Sequence, residues 1–118
     1  MKVLMLVAHG SRRTASNHEV ATLAKTVSVN KSLSVEKVKV AYLEFAAPDV
    51  VTAINESFSA GASEIIVLPY FLSGGNHVVN DLPHEINKAM ASWPSKRINL
   101  LPHIGASNQM AELIASAC

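Results

Sequence analysis

Val3-Leu4-Met5-Leu6-Val7-Ala8-His9-Gly10-Ser11-Arg12-Arg13 is the stretch that decides the architecture. Its first six residues are an uninterrupted apolar run, and the run stops abruptly in an imidazole, a glycine, a hydroxyl and two guanidiniums. A run this short with β-branched valines and a Gly-Ser stop reads as a strand buried on both faces, the kind found in parallel sheets. Open α/β sheets bind their ligands just past the carboxyl ends of such strands. His9 is therefore the first residue that needs a role.

Working outward, Val20, Leu23, Ala24 and Val27 fall at i, i+3, i+4 and i+7, which predicts a helix from Thr14 to about Asn30 with one buried stripe. Ser16-Asn17-His18-Glu19 has the form of a capping box, so the helix starts there or one turn earlier. Val38–Leu43 is a second strand ending at Glu44. Pro48 suits the first turn of a second helix, carried by Val50, Val51, Ile54 and Phe58 and stopped by Gly61. Ile65–Leu68 is a third strand that runs through Pro69 and Tyr70 into Ser73-Gly74-Gly75-Asn76-His77. Asp81 and Pro83 mark a third helix, with Leu82, Ile86, Ala89, Met90 and Trp93 as its apolar face and Pro94 as its end. Ile98–Leu101 is a fourth strand. Ser107 then caps a last helix carrying Met110, Leu113 and Ile114.

The order β-α-β-α-β-α-β-α predicts an α/β fold with a parallel sheet and helices on both faces. Right-handed crossovers give the flavodoxin-like strand order 2-1-3-4. The 118 residues are expected to form one domain, 1–118. Apolar residues make up 49% and charged residues 16%, so the chain is rich in core and lean in surface charge, which hints at a second covered face such as a homodimer contact. A formal charge of +1 without a basic stretch argues against nucleic acid. Cys118 is the single cysteine, so no disulfide framework forms within the chain. No apolar run reaches the length of a membrane span or of a secretory signal. A cytoplasmic protein without membrane partners is the expectation.

In that topology the ligand-binding switch point lies between the first and third strands. His9 follows one, His77 follows the other, and Glu44 ends the neighbouring second strand. Taken singly, each has an ordinary reading: a loop histidine, a solvated carboxylate, and for Gly74-Gly75 a turn. Arg12 and Arg13 suit solvent or a helix salt bridge, and His18, His84 and His103 read as surface side chains. The coincidence of His9, Glu44 and His77 on one rim is what points to chemistry. Two imidazoles and a carboxylate can hold a divalent ion with positions open for exchange, and imidazoles accept protons near neutral pH. Arg12, Arg13 and the N–H groups opening the first helix favour an anionic ligand. Gly74 and Gly75 allow something flat and large to approach the backbone.

With these residues in view, the chain resembles the class II tetrapyrrole chelatases, and among them the small single-domain CbiX-type sirohydrochlorin cobaltochelatases. The matching segments are Ala8-His9-Gly10-Ser11-Arg12 with Asn17 beyond it, Ala41-Tyr42-Leu43-Glu44 with Pro48, Val67-Leu68-Pro69-Tyr70-Phe71-Leu72, Gly75-Asn76-His77 and Asp81-Leu82-Pro83. They span essentially the whole chain. The resemblance implies a chelatase-like half-domain that inserts a divalent metal, cobalt before nickel or iron, into sirohydrochlorin in cobalamin or siroheme biosynthesis. It implies His9 and His77 as metal ligands and His9, Glu44 and His77 as the catalytic set, with His9 the leading base. Ser11, Arg12 and Glu44, and the loop Leu72, Ser73, Gly74, Gly75 and Asn76, would contact the macrocycle. It further implies a homodimer and no permanently bound cofactor, the metal being a substrate.

Two other readings remain open at this level. A non-catalytic metal- or tetrapyrrole-binding protein could keep the same frame, with the apolar Val78-Val79 after His77 favouring that. His9-Gly10 is also similar to the Arg-His-Gly opening of histidine phosphatases, but Ala8 stands where the phosphate-binding arginine would be.

Overall fold

The computed structural model describes residues 1–76 and 80–118. His77, Val78 and Val79 lie outside the described residues. Strands β1 (Lys2–Ala8), β2 (Lys37–Tyr42), β3 (Glu64–Pro69) and β4 (Arg97–Leu100) alternate with helices α1 (Thr14–Ser28), α2 (Val50–Ser59), α3 (Leu82–Met90) and α4 (Gln109–Ser116). The strands form one sheet in the order β2-β1-β3-β4, all pairings parallel. This is the arrangement expected from the sequence, and each strand boundary falls within a residue of the apolar run that predicts it.

Pairing of Val3 with Lys37 and Ile65, and of Val7 with Ala41 and Pro69, sets which side chains share a face. Val3, Met5, Val7, Ala41, Ile65 and Val67 point to one side, where α2 and α3 cover them with Val50, Ala53, Ile54, Phe58, Leu82, Ile86 and Ala89. Trp93 seals that layer by packing its ring 5.5 Å from Phe58 and donating its indole N–H to Asn55 Oδ1 at 2.8 Å. On the opposite face Leu6 and Ala8 are buried, and α1, which packs against β2, contributes Ala24.

Three local expectations are corrected. The Ser16–Glu19 capping box does not form: α1 begins at Thr14, the earlier alternative, because the chain is already turned by the Ser11 hydroxyl accepting the Arg13 N–H at 3.0 Å. Pro48 precedes α2 instead of occupying its first turn; the cap is Asp49, whose carboxylate accepts the Thr52 N–H at 2.8 Å. That hydrogen bond holds the Asp49 carboxyl below the ordinary aspartate range. Finally, the cap position of α4 is Asn108, which makes no side-chain cap bond, and not Ser107, whose hydroxyl accepts the Gln109 N–H at 3.2 Å. A 3-10 turn over Ile104–Ala106 redirects the chain before α4, which buries none of its residues and leaves Leu113 63% and Ile114 61% exposed.

Candidate active site

The rim at the carboxyl ends of β1 and β2 is built by backbone bonds that continue past the strands. Leu43 N–H donates to the Ala8 carbonyl at 3.0 Å and Glu44 N–H to the His9 carbonyl at 2.9 Å. These two bonds carry His9 and Glu44 out of the sheet together. Gly10 makes the close approach possible. It sits at φ +90, and a Cβ there would lie 1.8 Å from the Glu44 carbonyl oxygen, so no other residue fits.

The result is a pair of side chains facing one another. His9 Nε2 lies 3.4 Å from Glu44 Oε2, and both side chains are about half exposed. His9 Nδ1 lies 3.1 Å from the Gly10 carbonyl, which can only accept, a contact that favours the tautomer with its proton on Nδ1. In the neutral ring Nε2 is then the basic nitrogen, and it is turned toward a carboxylate. A nitrogen lone pair and a carboxylate oxygen facing one another in this way suit a cation placed between or beside them. Nitrogen and oxygen donors at ~2.0–2.2 Å from a tetrahedral first-row ion are roughly 3.3 Å apart. The observed 3.4 Å is close to that edge length. Among the described residues no three His, Cys, Asp or Glu side chains converge on a metal position. The third ligand expected from the sequence, His77, lies outside them.

Behind this pair the loop is clamped. Asn17, from the first turn of α1, accepts the Ser11 N–H at 3.0 Å and donates to the Ser11 carbonyl at 2.8 Å. The Tyr42 hydroxyl donates to the Asn17 carbonyl at 3.0 Å, and burial raises its pKa above the usual phenol value. Ser11 itself therefore serves the turn, its hydroxyl committed to Arg13 N–H. Arg12 reaches sideways instead, its guanidinium 4.8 Å from the centroid of the Phe45 ring.

Leu72, Ser73, Gly74, Gly75 and Asn76 are all exposed after β3, on the same end of the sheet as His9. Their loop leans on the 3-10 turn: Gly105 N–H donates to the Phe71 carbonyl at 3.0 Å, and a Cβ on Gly105 would meet the Leu72 carbonyl at 1.8 Å. The Asn80 side chain donates to Asn76 Oδ1 at 3.3 Å, holding the end of the loop against the approach to α3. Of the predicted residues the structure thus brings His9 and Glu44 together and places Ser11 and Arg12 beside them. It leaves the Leu72–Asn76 loop open to solvent on the same edge.

Sequence reasoning passed over two neighbours. His84, read as a surface side chain, lines a cleft of about 150 Å³ with Leu43, Glu44, Asp81 and Glu85. Its signal was the spacing of Asp81, His84 and Glu85 at i, i+3 and i+4, which puts all three on one face of the first turn of α3. Phe45 was missed altogether. A larger groove of about 210 Å³ between the β2 edge and α2, lined by Lys37, Lys39, Ala53 and Ser57 among others, shares no residue with the rim.

Comparison with known proteins identifies the family and the fold. A family model described as CbiX matches residues 3–118. The sirohydrochlorin cobaltochelatase of Methanococcus maripaludis is 36% identical over 83 residues, which cover 70% of this chain and 56% of that protein. The sirohydrochlorin ferrochelatase of Bacillus subtilis is 26% identical over 113 residues, covering 96% and 42% respectively. The chain thus spans about half the length of the curated relatives it matches. Among solved structures, a cobalamin biosynthesis CbiX protein from Marinobacter aquaeolei superposes with a TM-score of 0.83 at 27% identity, over 99% of this chain and 93% of that one. The sirohydrochlorin chelatase SirB from Bacillus subtilis subspecies spizizenii, in complex with cobalt, gives 0.86 at 26% identity over 98% of this chain and 48% of that one.

Proposed function

The chain belongs to the CbiX family, and from that premise we propose that it is a chelatase half-domain that inserts a divalent metal ion into sirohydrochlorin, cobalt before iron or nickel. The observation that carries the reading is the His9 Nε2–Glu44 Oε2 pair at 3.4 Å, with the imidazole tautomer favoured by Gly10. Relatives named for cobalt and for iron insertion into the same tetrapyrrole support the substrate.

Insertion exchanges one dication for two pyrrole N–H protons, so the net charge of the macrocycle is unchanged. The protein must hold the ion loosely, give it up to the ring nitrogens, and take the protons from the same side. His9 Nε2, with His77 as the second imidazole, offers neutral nitrogen donors. Once the ion has passed to the ring, Nε2 is again a basic nitrogen. A proton accepted there makes an imidazolium beside the Glu44 carboxylate, which stabilises it. The second proton leaves through Glu44 to solvent, to which both side chains are open. The Arg12 guanidinium suits the peripheral carboxylates of the substrate. The Leu72–Asn76 loop, exposed and with two adjacent glycines, suits its flat face.

A homodimer, two copies of this domain sharing one tetrapyrrole, completes the proposal. No resident cofactor is needed. Among the described residues no helix is long and apolar enough to cross a membrane, and the cytoplasm is the proposed location.

The test is anaerobic incubation of the purified protein with sirohydrochlorin and Co²⁺, Fe²⁺ or Ni²⁺ in turn, followed by absorbance against a protein-free control. Acceleration, greatest with Co²⁺, is the expected outcome. Tight binding of metal or macrocycle without acceleration would instead make this a binding protein on a chelatase frame.

A further inference from the structure

Phe45 combines features that a connecting loop does not require. Ala46 N–H donates to the Glu44 carbonyl at 2.8 Å, closing a three-residue turn with Phe45 at its apex and φ at +64. Turns of this kind with a positive central φ are rare and strained, and a bulky aromatic is among the residues least suited to one. Glycine or asparagine would make the same turn at lower cost. The ring is nevertheless 53% exposed, so burial in the core does not repay the strain. It is held in place instead by site residues, with the Arg12 guanidinium 4.8 Å from its centroid and the His9 ring edge-on at 6.2 Å and 63°.

The geometry points to Phe45 as the aromatic contact that positions the tetrapyrrole over His9 Nε2, an assignment that rests on the proposed chelatase activity. A conjugated macrocycle is flat and apolar at its centre and ringed by carboxylates. An exposed phenyl ring meets the first character by stacking or edge contact. Arg12, fixed against that ring, keeps its N–H groups available for the second. The turn that strains Phe45 is also what places its ring beside the His9–Glu44 pair, because its first residue is Glu44.

The experiment measures sirohydrochlorin and metal KM, kcat and melting temperature for the wild type, Phe45→Gly and Phe45→Tyr. Glycine fits the backbone at φ +64 and removes the ring; tyrosine keeps it. Phe45→Gly is expected to raise the sirohydrochlorin KM about five- to tenfold, the worth of one aromatic pair, with the metal KM held within about twofold. Phe45→Tyr is expected to stay within about twofold of the wild type throughout. A Phe45→Gly protein with an unchanged sirohydrochlorin KM overturns the assignment. So does one whose metal KM, kcat and melting temperature all worsen together, since that is a structural role. Absence of insertion by the wild type overturns the chelatase reading itself, and is distinguished from the first two because it needs no variant.

Discussion

His9 Nε2 stands 3.4 Å from Glu44 Oε2 because two successive strand-end residues of β1 and β2 remain hydrogen-bonded after the sheet has ended. The pair is thus a property of strand registry and not of flexible side chains meeting by chance. Glu44→Gln keeps the shape and the backbone bonds but loses the negative charge and the proton acceptor. Metal insertion is expected to fall about 100-fold or more, the usual worth of general base catalysis, with the fold intact. Insertion rates and far-UV circular dichroism together check this.

Gly10→Ala is expected to be far more damaging than its one methyl suggests. The new Cβ would collide with the Glu44 carbonyl and force a left-handed residue that alanine resists. We expect a loss of about 2–4 kcal/mol in urea denaturation, as for other substitutions at a special φ with a backbone clash. Insertion should be lost in parallel, because the displaced group is Glu44.

Asn17→Ala removes a side chain that bonds both the N–H and the carbonyl of Ser11. Its structural cost is expected to be about 1–3 kcal/mol, since the loop groups lose their partner. The sharper readout is catalytic: the loop carrying Arg12 loosens while His9 and Glu44 keep their own backbone bonds. The sirohydrochlorin KM should therefore rise more than the metal KM.

Asp49 links acid stability to one helix cap. Its folded pKa lies below the ordinary value, first through the Thr52 N–H bond. The stabilisation is present above the unfolded aspartate pKa of roughly 4 and is lost as pH falls through the lower folded value. Asp49→Asn, which caps as well but does not titrate, should show a flatter loss of stability below about pH 4. The side chain is largely solvent-facing, so solvent screening keeps the difference small. Melting temperatures of the two proteins between neutral and acid pH check the sign.

The architecture was legible because the strands are dense apolar runs ended by unmistakable breakers, Gly10-Ser11 after β1 and Ser73-Gly74-Gly75 after β3. Alternation with helical stripes left little freedom in topology, and topology brought His9 beside Glu44. What escaped was governed by single hydrogen bonds and by backbone conformation. Ser16 and Glu19 match a capping box, yet the chain is turned earlier by Ser11 and Asn17, through contacts that no spacing rule encodes. Pro48 drew the start of α2 too early, when the ordinary Asp49 beside it makes the cap. Phe45 was invisible because residue preference speaks against phenylalanine at positive φ. Ser107 looked like the cap of α4, but the 3-10 turn just before it moves the cap position to Asn108.

The central claim is that His9 is the nitrogen that hands over the metal and takes up a proton. Its most direct test is the single-turnover rate of Co²⁺ insertion into sirohydrochlorin, measured anaerobically for the wild type and for His9→Ala at equal protein concentration. Removal of a ligand and base at once predicts a fall of at least about 100-fold, with tetrapyrrole binding preserved. A His9→Ala protein that inserts cobalt at the wild-type rate would contradict the account.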